Sequence, residues 1–385
     1  MIRRMTMVTP LIPSAGQHES AGEQLLHRIA GVMAEDAELT LVSGDGPANR
    51  RALARGGVPE HIMLPAERTA LSRIGRALGM APAIEPRRLS SVAGTLSRSA
   101  VVDLQWEENG LLLPAVRRLA PRALTVVTLH DVLSQKFARQ RDQQSDPRRR
   151  AVWHGRWLAA RALERRIMHL ADRVVVLSEK DAALLPRHGA RAEIHVVPPP
   201  IDGDLRRPGR SLPVPDPLLL FVGFMARWEN EDAMHWFSTQ ILPIIRAEFP
   251  QARMAVAGGG LRDHVVQGLR RHGVEVLGYV ADLEALYAEA AAVVVPLRCG
   301  AGVKFKVVEA LVRGVPVVTT AVGGEGISPS DAAVVRDSPE SFAAAVVEIL
   351  HGPRAAEAHA RRMASPVAAR FGAEQFRARL KRVHA

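Results

Sequence analysis

The chain has 385 residues, 47% hydrophobic and 24% charged, which are globular proportions that exclude wholesale disorder and suit about two domains. One cysteine, Cys299, excludes an internal disulfide and a cysteine-based metal cluster, and no uncharged apolar run approaches a membrane span, so a cytoplasmic protein is expected. The net charge of +11 reflects 51 Lys and Arg against 40 Asp and Glu, but only five are lysines, an arginine bias that GC-rich coding produces, so it argues little for a nucleic-acid partner.

Short, near-continuous apolar runs recur along the chain, the pattern of strands covered on both faces in a parallel sheet. After the first, Met5–Thr9, comes a loop in which Gly16 and Gly22 permit a tight ligand-facing turn. His18 and Glu19 in that loop either face an acceptor or are plain solvated residues. Residues 21–33 read as an amphipathic helix with Leu25, Ile29 and Met33 on one face. Runs at Leu39–Ser43 and Val101–Leu104 follow, and behind the second Trp106, Glu107 and Glu108 form either an acceptor wall or a helix cap.

The run Leu124–Leu129 ends on His130 and Asp131, at the carboxyl end of a buried strand, where open α/β sheets bind ligands. Asp131 is alternatively the N-cap of a helix over 132–138. Residues 136–173 then carry 11 basic and 4 acidic side chains, with Trp153 and Trp157 one turn apart. Such a helix suits peripheral contact with the inner face of an anionic membrane. A solvated charged face with both tryptophans on the core explains the same pattern and is favoured. Runs at Arg173–Leu177 and Ile194–Val197 complete the first series.

Pro198, Pro199, Pro200, Pro208, Pro213, Pro215 and Pro217 exclude a helix or central strand, and a domain boundary belongs there. A second series follows at Leu218–Gly223, Met254–Ala257, Val274–Leu277, Val293–Val295, Val315–Thr319 and Ala333–Val335. A helix is expected over 233–249, with Phe237, Ile241, Ile244, Ile245 and Phe249 on its apolar face. The alternation predicts an α/β protein of two Rossmann-like domains.

The most informative stretch, residues 296–309 (PLRCGAGVKFKVVE), opens a helix near Phe305. Gly300 and Gly302 admit a ligand close to the backbone, and free amides around Val303, Phe305 and Lys306 suit a diphosphate. Lys304 and Lys306 add positive charge, and Glu309, one turn in, can accept from ribose hydroxyls. The plain alternative is an ordinary βα turn with Lys306 and Glu309 paired at i,i+3. No GxGxxG follows the first strand and there is no P-loop, which speaks against a dinucleotide oxidoreductase and a P-loop ATPase, and the lack of HExxH or paired metal-ligand spacing fits a metal-independent site.

This stretch resembles the donor-site signature of the family 4 retaining glycosyltransferases, which have the GT-B fold. The resemblance extends through residues 218–237, the glycine-terminated run at 254–260, the base-binding segment 277–287 containing Val280, and 314–326. In the first half it takes in 128–131, 171–178 and 196–198 in the same order. It implies two Rossmann-like domains with an interdomain cleft: an acceptor-binding domain over 1–200, with a helix near 373–385 crossing back to it, and a donor-binding domain over 201–365.

The resemblance implies that His130 contacts the donor sugar near the reacting carbon, with Glu309, Lys304 and Arg227 as the other catalytic residues. Gly22, Val280, Gly302, Val303, Phe305 and Lys306 join Arg227, Lys304 and Glu309 around the donor, while His18, Glu19, Trp106 and Asp131 face the acceptor. Two departures stand out. The family has a glutamate pair eight residues apart, and the first falls here on Ala301. Arg227 lies in the diphosphate loop, but no lysine follows it; Asn230 falls near that position, and Lys304 is the expected substitute.

The activity implied is transfer of a sugar from a nucleotide diphosphate sugar, the only co-substrate, to a hydroxyl acceptor (a glycan, a lipid-linked glycan or a secondary metabolite). The resemblance further implies retention of configuration and no metal. The alternatives are an epimerase on the same fold, which the missing first glutamate leaves open, and a basic nucleic-acid-binding protein.

Overall fold

A computed structural model describes residues 3–13, 21–56, 59–65, 75, 79–201, 215–327 and 333–385, and His18 and Glu19 lie outside them. The chain forms two compact units, Met1–Pro199 together with Phe376–Ala385, and Pro200–Gln375.

The first unit is built on seven parallel strands: β1 (Arg3–Thr9), β2 (Ala37–Gly44), β3 (Glu60–Leu64), β4 (Val101–Gln105), β5 (Leu124–Thr128), β6 (Arg173–Val176) and β7 (Glu193–Val196). Their order is β3-β2-β1-β4-β5-β6-β7, so the winding direction reverses between β1 and β4. Central strands are apolar on both faces because helices cover both: Val8, Val102, Leu104 and Val127 are fully buried. The pattern of apolar runs missed β3, an edge strand whose first residues, Glu60 and His61, are exposed.

The second unit has six parallel strands, β8 (Leu218–Val222), β9 (Arg253–Ala257), β10 (Val274–Gly278), β11 (Ala290–Val295), β12 (Val317–Thr319) and β13 (Ala333–Val335). The order β10-β9-β8-β11-β12-β13 puts its reversal between β8 and β11. The helix expected over 233–249 starts earlier, at Trp228, and is interrupted by a π turn at Phe237–Ile241 before Leu242–Glu248. Pro243 has no N–H to give the preceding turn, and the wider turn absorbs that loss.

The basic helix runs over Pro147–Leu170, and the Asp146 carboxylate accepts the Arg148 amide at its start. Trp153 packs against Phe137 with the Arg156 guanidinium over it, and Trp157 lies beside His154 and Arg141. Both rings are partly buried on the core, as the favoured reading expected. Among the described residues no helix is long and apolar enough to cross a membrane. The last helix, Ala373–His384, buries Phe376, Leu380, Val383 and His384, and Lys381 pairs with Glu35 and Asp36.

Candidate functional site

In the second unit, chemistry-bearing residues collect at the carboxyl ends of β8 and β11, the switch point of the sheet. The loop after β11 turns through Gly300 (φ 116°) and Gly302 (φ 73°), a backbone conformation that other residues adopt only with strain. The helix Phe305–Val312 follows. Its first internal bond runs from Val307 N to Lys304 O at 2.9 Å, so the Phe305 and Lys306 amides precede the hydrogen-bonded ladder. Val303 and Phe305 are half-buried beside them, and Gly302 is buried.

Lys306 reaches from this helix to the end of β8. Its Nζ donates to Asn230 Oδ1 at 2.8 Å and lies 4.0 Å from the centre of the Phe221 ring. Asn230 in turn donates to the carbonyl of Phe224 at 2.8 Å, which holds the loop after β8. The corner has room for backbone only. A Cβ on Gly223 would lie 2.6 Å from the Lys306 ammonium, and one on Gly258 would lie 1.8 Å from the Gly223 carbonyl oxygen. Among the described residues Lys306 forms no ion pair. Loss of water around the ammonium lowers its pKa to about 7, helped by the positive charges of Lys304 and Arg227.

Lys304 points elsewhere. Its ammonium donates to the carbonyls of Ala301 (2.8 Å) and Gly302 (2.6 Å) and lies 3.9 Å from the buried Glu325 carboxylate. It braces the glycine loop, while Lys306 takes the place beside Asn230 where the expected lysine is missing. Arg227 is exposed immediately before the helix Trp228–Trp236. Glu309 accepts from the Tyr287 hydroxyl at 3.2 Å, not from Lys306, so the i,i+3 pair of the plain alternative does not form. Tyr287 is fully buried, and burial, with the Glu309 carboxylate beside it, raises its pKa well above the ordinary phenol value. Arg313 stacks over the Tyr287 ring and pairs with Glu284. Val280, after β10, packs half-buried on the core, with the exposed Tyr279 before it.

In the first unit, His130 follows β5 and is stacked on Trp106, with ring centres 3.8 Å apart and planes within 3°. Trp106 is the non-glycine residue with positive φ (69°) among those described, a strained turn that lays its ring on His130. His130 Nε2 meets Gln105 Oε1 at 3.0 Å, and Nδ1 is buried with no hydrogen-bond partner among the described residues. Burial lowers the His130 pKa to about 3, so the ring is neutral at physiological pH.

Asp131 does not cap the next helix. That helix, Leu133–Asp142, receives its caps from distant carboxylates: Glu107 accepts the Leu133 amide at 2.9 Å and Glu164 the Ser134 amide at 3.0 Å. Glu107 therefore lines no acceptor wall; it is buried, and its neighbour Glu108 is half-buried. Gly22 sits in the first turn of the helix Ala21–Asp36 rather than in an open loop. The sequence reading missed Asp103 and His384, which join Gln105 behind His130; for Asp103 the available signal was a charged residue inside the otherwise apolar run Val101–Leu104.

Two family models match this chain, one described as a glycosyl transferase 4-like domain over residues 21–200 and the other as glycosyl transferases group 1 over residues 216–352. An uncharacterized 44.6 kDa protein in the cps region of Klebsiella pneumoniae is 25% identical over 116 residues; the match spans 28% of this chain and 30% of that relative's length. Sucrose-phosphate synthase from Thermosynechococcus elongatus superposes with a TM-score of 0.71 at 17% identity, covering 99% of this chain and 98% of that one. HepE of Anabaena, solved with UDP and glucose, gives 0.68 at 16% identity over 99% and 98%. An α,α-trehalose-phosphate synthase (UDP-forming) from Burkholderia vietnamiensis gives 0.64 at 11% identity over 100% and 98%. At these identities the likeness is one of fold, and the two parallel-sheet units match the GT-B glycosyltransferase structures. With one family model on each half, the chain belongs to the group 1 glycosyl transferases.

Proposed function

We propose that this protein works in the cytoplasm, moving a sugar from a nucleoside diphosphate sugar to a hydroxyl-bearing acceptor with retention of configuration and without a metal. The second unit holds the donor and the first the acceptor. The observation that carries this reading is the Lys306 ammonium, held on Asn230 and Phe221 beside a helix start, with no ion pair among the described residues. A diphosphate supplies the missing negative charge.

As the bond from sugar to diphosphate breaks, charge grows on the departing phosphate oxygens. Lys306, Arg227 and the amides of Phe305 and Lys306 stabilise it more strongly than they stabilise the intact donor, and that difference lowers the barrier. Because these groups are all protein cations and dipoles, the reading needs no bound metal. Glu309, steadied by Tyr287, accepts from the ribose hydroxyls. His130, neutral and fixed on Trp106, meets the sugar with an uncharged ring.

HepE, which shares the fold, has been solved with UDP and with UDP-glucose, so uridine diphosphate is the first probe for this chain. A melting-temperature panel of nucleoside diphosphates tests the reading. At least one should raise the wild-type transition and raise those of Lys306→Met and Glu309→Gln much less. Equal shifts in wild type and both variants would remove the donor site from this corner. Ala301, standing where the family has its first glutamate, supports a second reading, an epimerase acting on the same donor. Formation of a sugar isomer from donor alone would select it.

A further inference from the structure

Behind His130 a buried chain of polar groups crosses the first unit to the last helix. Asp103, in the middle of β4 and fully buried, accepts three hydrogen bonds. Gln105 Nε2 donates to its Oδ1 at 2.9 Å, Thr128 Oγ1 donates to the same oxygen at 3.2 Å, and His384 Nε2 lies 2.8 Å from Oδ2. His384, 3% exposed, is held in turn by its helix end: Arg3 donates to its carbonyl, and Arg173 donates to the Val383 carbonyl at 2.6 Å.

The chemistry of these groups fixes a direction. A carboxylate accepts and never donates, so the Gln105 amide must turn its NH2 toward Asp103 and its oxygen toward His130. That oxygen accepts, so His130 Nε2 carries the proton and Nδ1 keeps its lone pair. Nδ1 is the ring atom without a partner among the described residues, so it is the atom left for a hydroxyl donor of a sugar.

We propose that Gln105, Asp103 and His384 are positioning residues that hold His130 in a single tautomer, with the proton on Nε2 and a lone-pair acceptor at Nδ1. The role of His130 in transfer rests on the function proposed above; the tautomer does not. The last helix is then part of the site, because its final residue, His384, orients a group on β4 that orients the ring.

Long-range proton–nitrogen spectra of the full chain, labelled with 15N-histidine, read the tautomer directly and need no substrate. In wild type the two His130 nitrogens should resonate far apart, the protonated one being Nε2. In Asp103→Asn the group facing Gln105 gains a donor, so the amide can turn over. In Gln105→Leu the acceptor for Nε2 is gone, and in His384→Phe the carboxylate loses a donor. In all three the two nitrogen signals should move toward a common average. His384→Gln keeps an N–H for Asp103 and should restore the wild-type pattern.

A purely structural role predicts lower melting temperatures with unmoved His130 signals, and that result in folded variants would overturn the proposal. So would His384→Gln disturbing His130 as much as His384→Phe. If His384→Phe does not fold, Asp103→Asn and Gln105→Leu carry the test. Unchanged sugar transfer by His130→Ala would end the catalytic reading of His130 while leaving the tautomer result intact.

Discussion

Lys306 and Lys304 stand two residues apart at the mouth of one helix and do different work. Lys304 is held by its own loop and by Glu325; Lys306 sits beside Asn230 with a pKa lowered to about 7. A bound diphosphate restores the ammonium, so binding takes up a proton wherever the free lysine is neutral. Affinity for a nucleoside diphosphate should therefore be highest below pH 7 and fall above it, by up to about tenfold per pH unit. Calorimetric titrations between pH 6 and 9 measure this, and Lys306→Met should flatten the profile.

Replacing a charge-assisted hydrogen bond typically costs about 1.5–3 kcal/mol, so Lys306→Met should weaken binding roughly ten- to a hundredfold. Lys304→Ala should cost less, since it loosens the loop without removing the cation nearest Asn230. On the reading proposed above, the positive charge at the diphosphate is the protein's own, so donor hydrolysis should be unchanged by excess EDTA. The sequence showed both lysines and marked the gap at Asn230. It did not show which lysine fills that gap, because the answer depends on glycine dihedrals and on Glu325, which comes from beyond another strand.

Elements were more legible than contacts. Buried strands announced themselves as apolar runs, and twelve of the thirteen strands among the described residues fell where those runs predicted. The edge strand β3 did not, since half of it meets water and carries no such run. The cap offered as the alternative for Asp131 failed for a related reason. Asp131 precedes the helix Leu133–Asp142 as an ordinary cap would, yet the amides go to Glu107 and Glu164, which spacing along the chain cannot reveal.

Burial raises the pKa of both capping glutamates, and for Glu107 the Glu164 charge raises it further. The folded state thus binds more protons than the unfolded chain above about pH 4.5, and stability falls as pH rises from there through the raised folded values. Glu164→Gln keeps an acceptor for Ser134 and removes one of two neighbouring charges. Its melting temperature should exceed that of wild type at pH 8 and approach it at pH 5. Glu107→Ala, which leaves the Leu133 amide uncapped, should lose about 1 kcal/mol or more in chemical denaturation.

At the scale of the whole molecule, alternating strands and helices and the proline-rich boundary gave two α/β halves, and the two family models fall one on each. Periodicity could not assign the last helix to the first unit; only the resemblance implied it, and buried contacts now place Phe376–Ala385 there. Phe376, Leu380 and Val383 are almost fully buried, and each such side chain contributes about 1.5–3 kcal/mol. Their sum is comparable to the whole stability of a typical domain, about 5–15 kcal/mol. Deleting residues 376–385 should therefore lower the melting transition of the first unit sharply, as followed by the fluorescence of Trp153 and Trp157.

The same placement sets an order of events during synthesis. An amino-terminal domain ordinarily folds while the rest of the polypeptide is still being made. Here His384 follows the whole of the second unit in the chain, so Asp103 waits for its partner until that unit has been made. A product cut short before residue 376 would carry a complete second sheet and an unfinished first unit, with Asp103 lacking its histidine partner behind the imidazole.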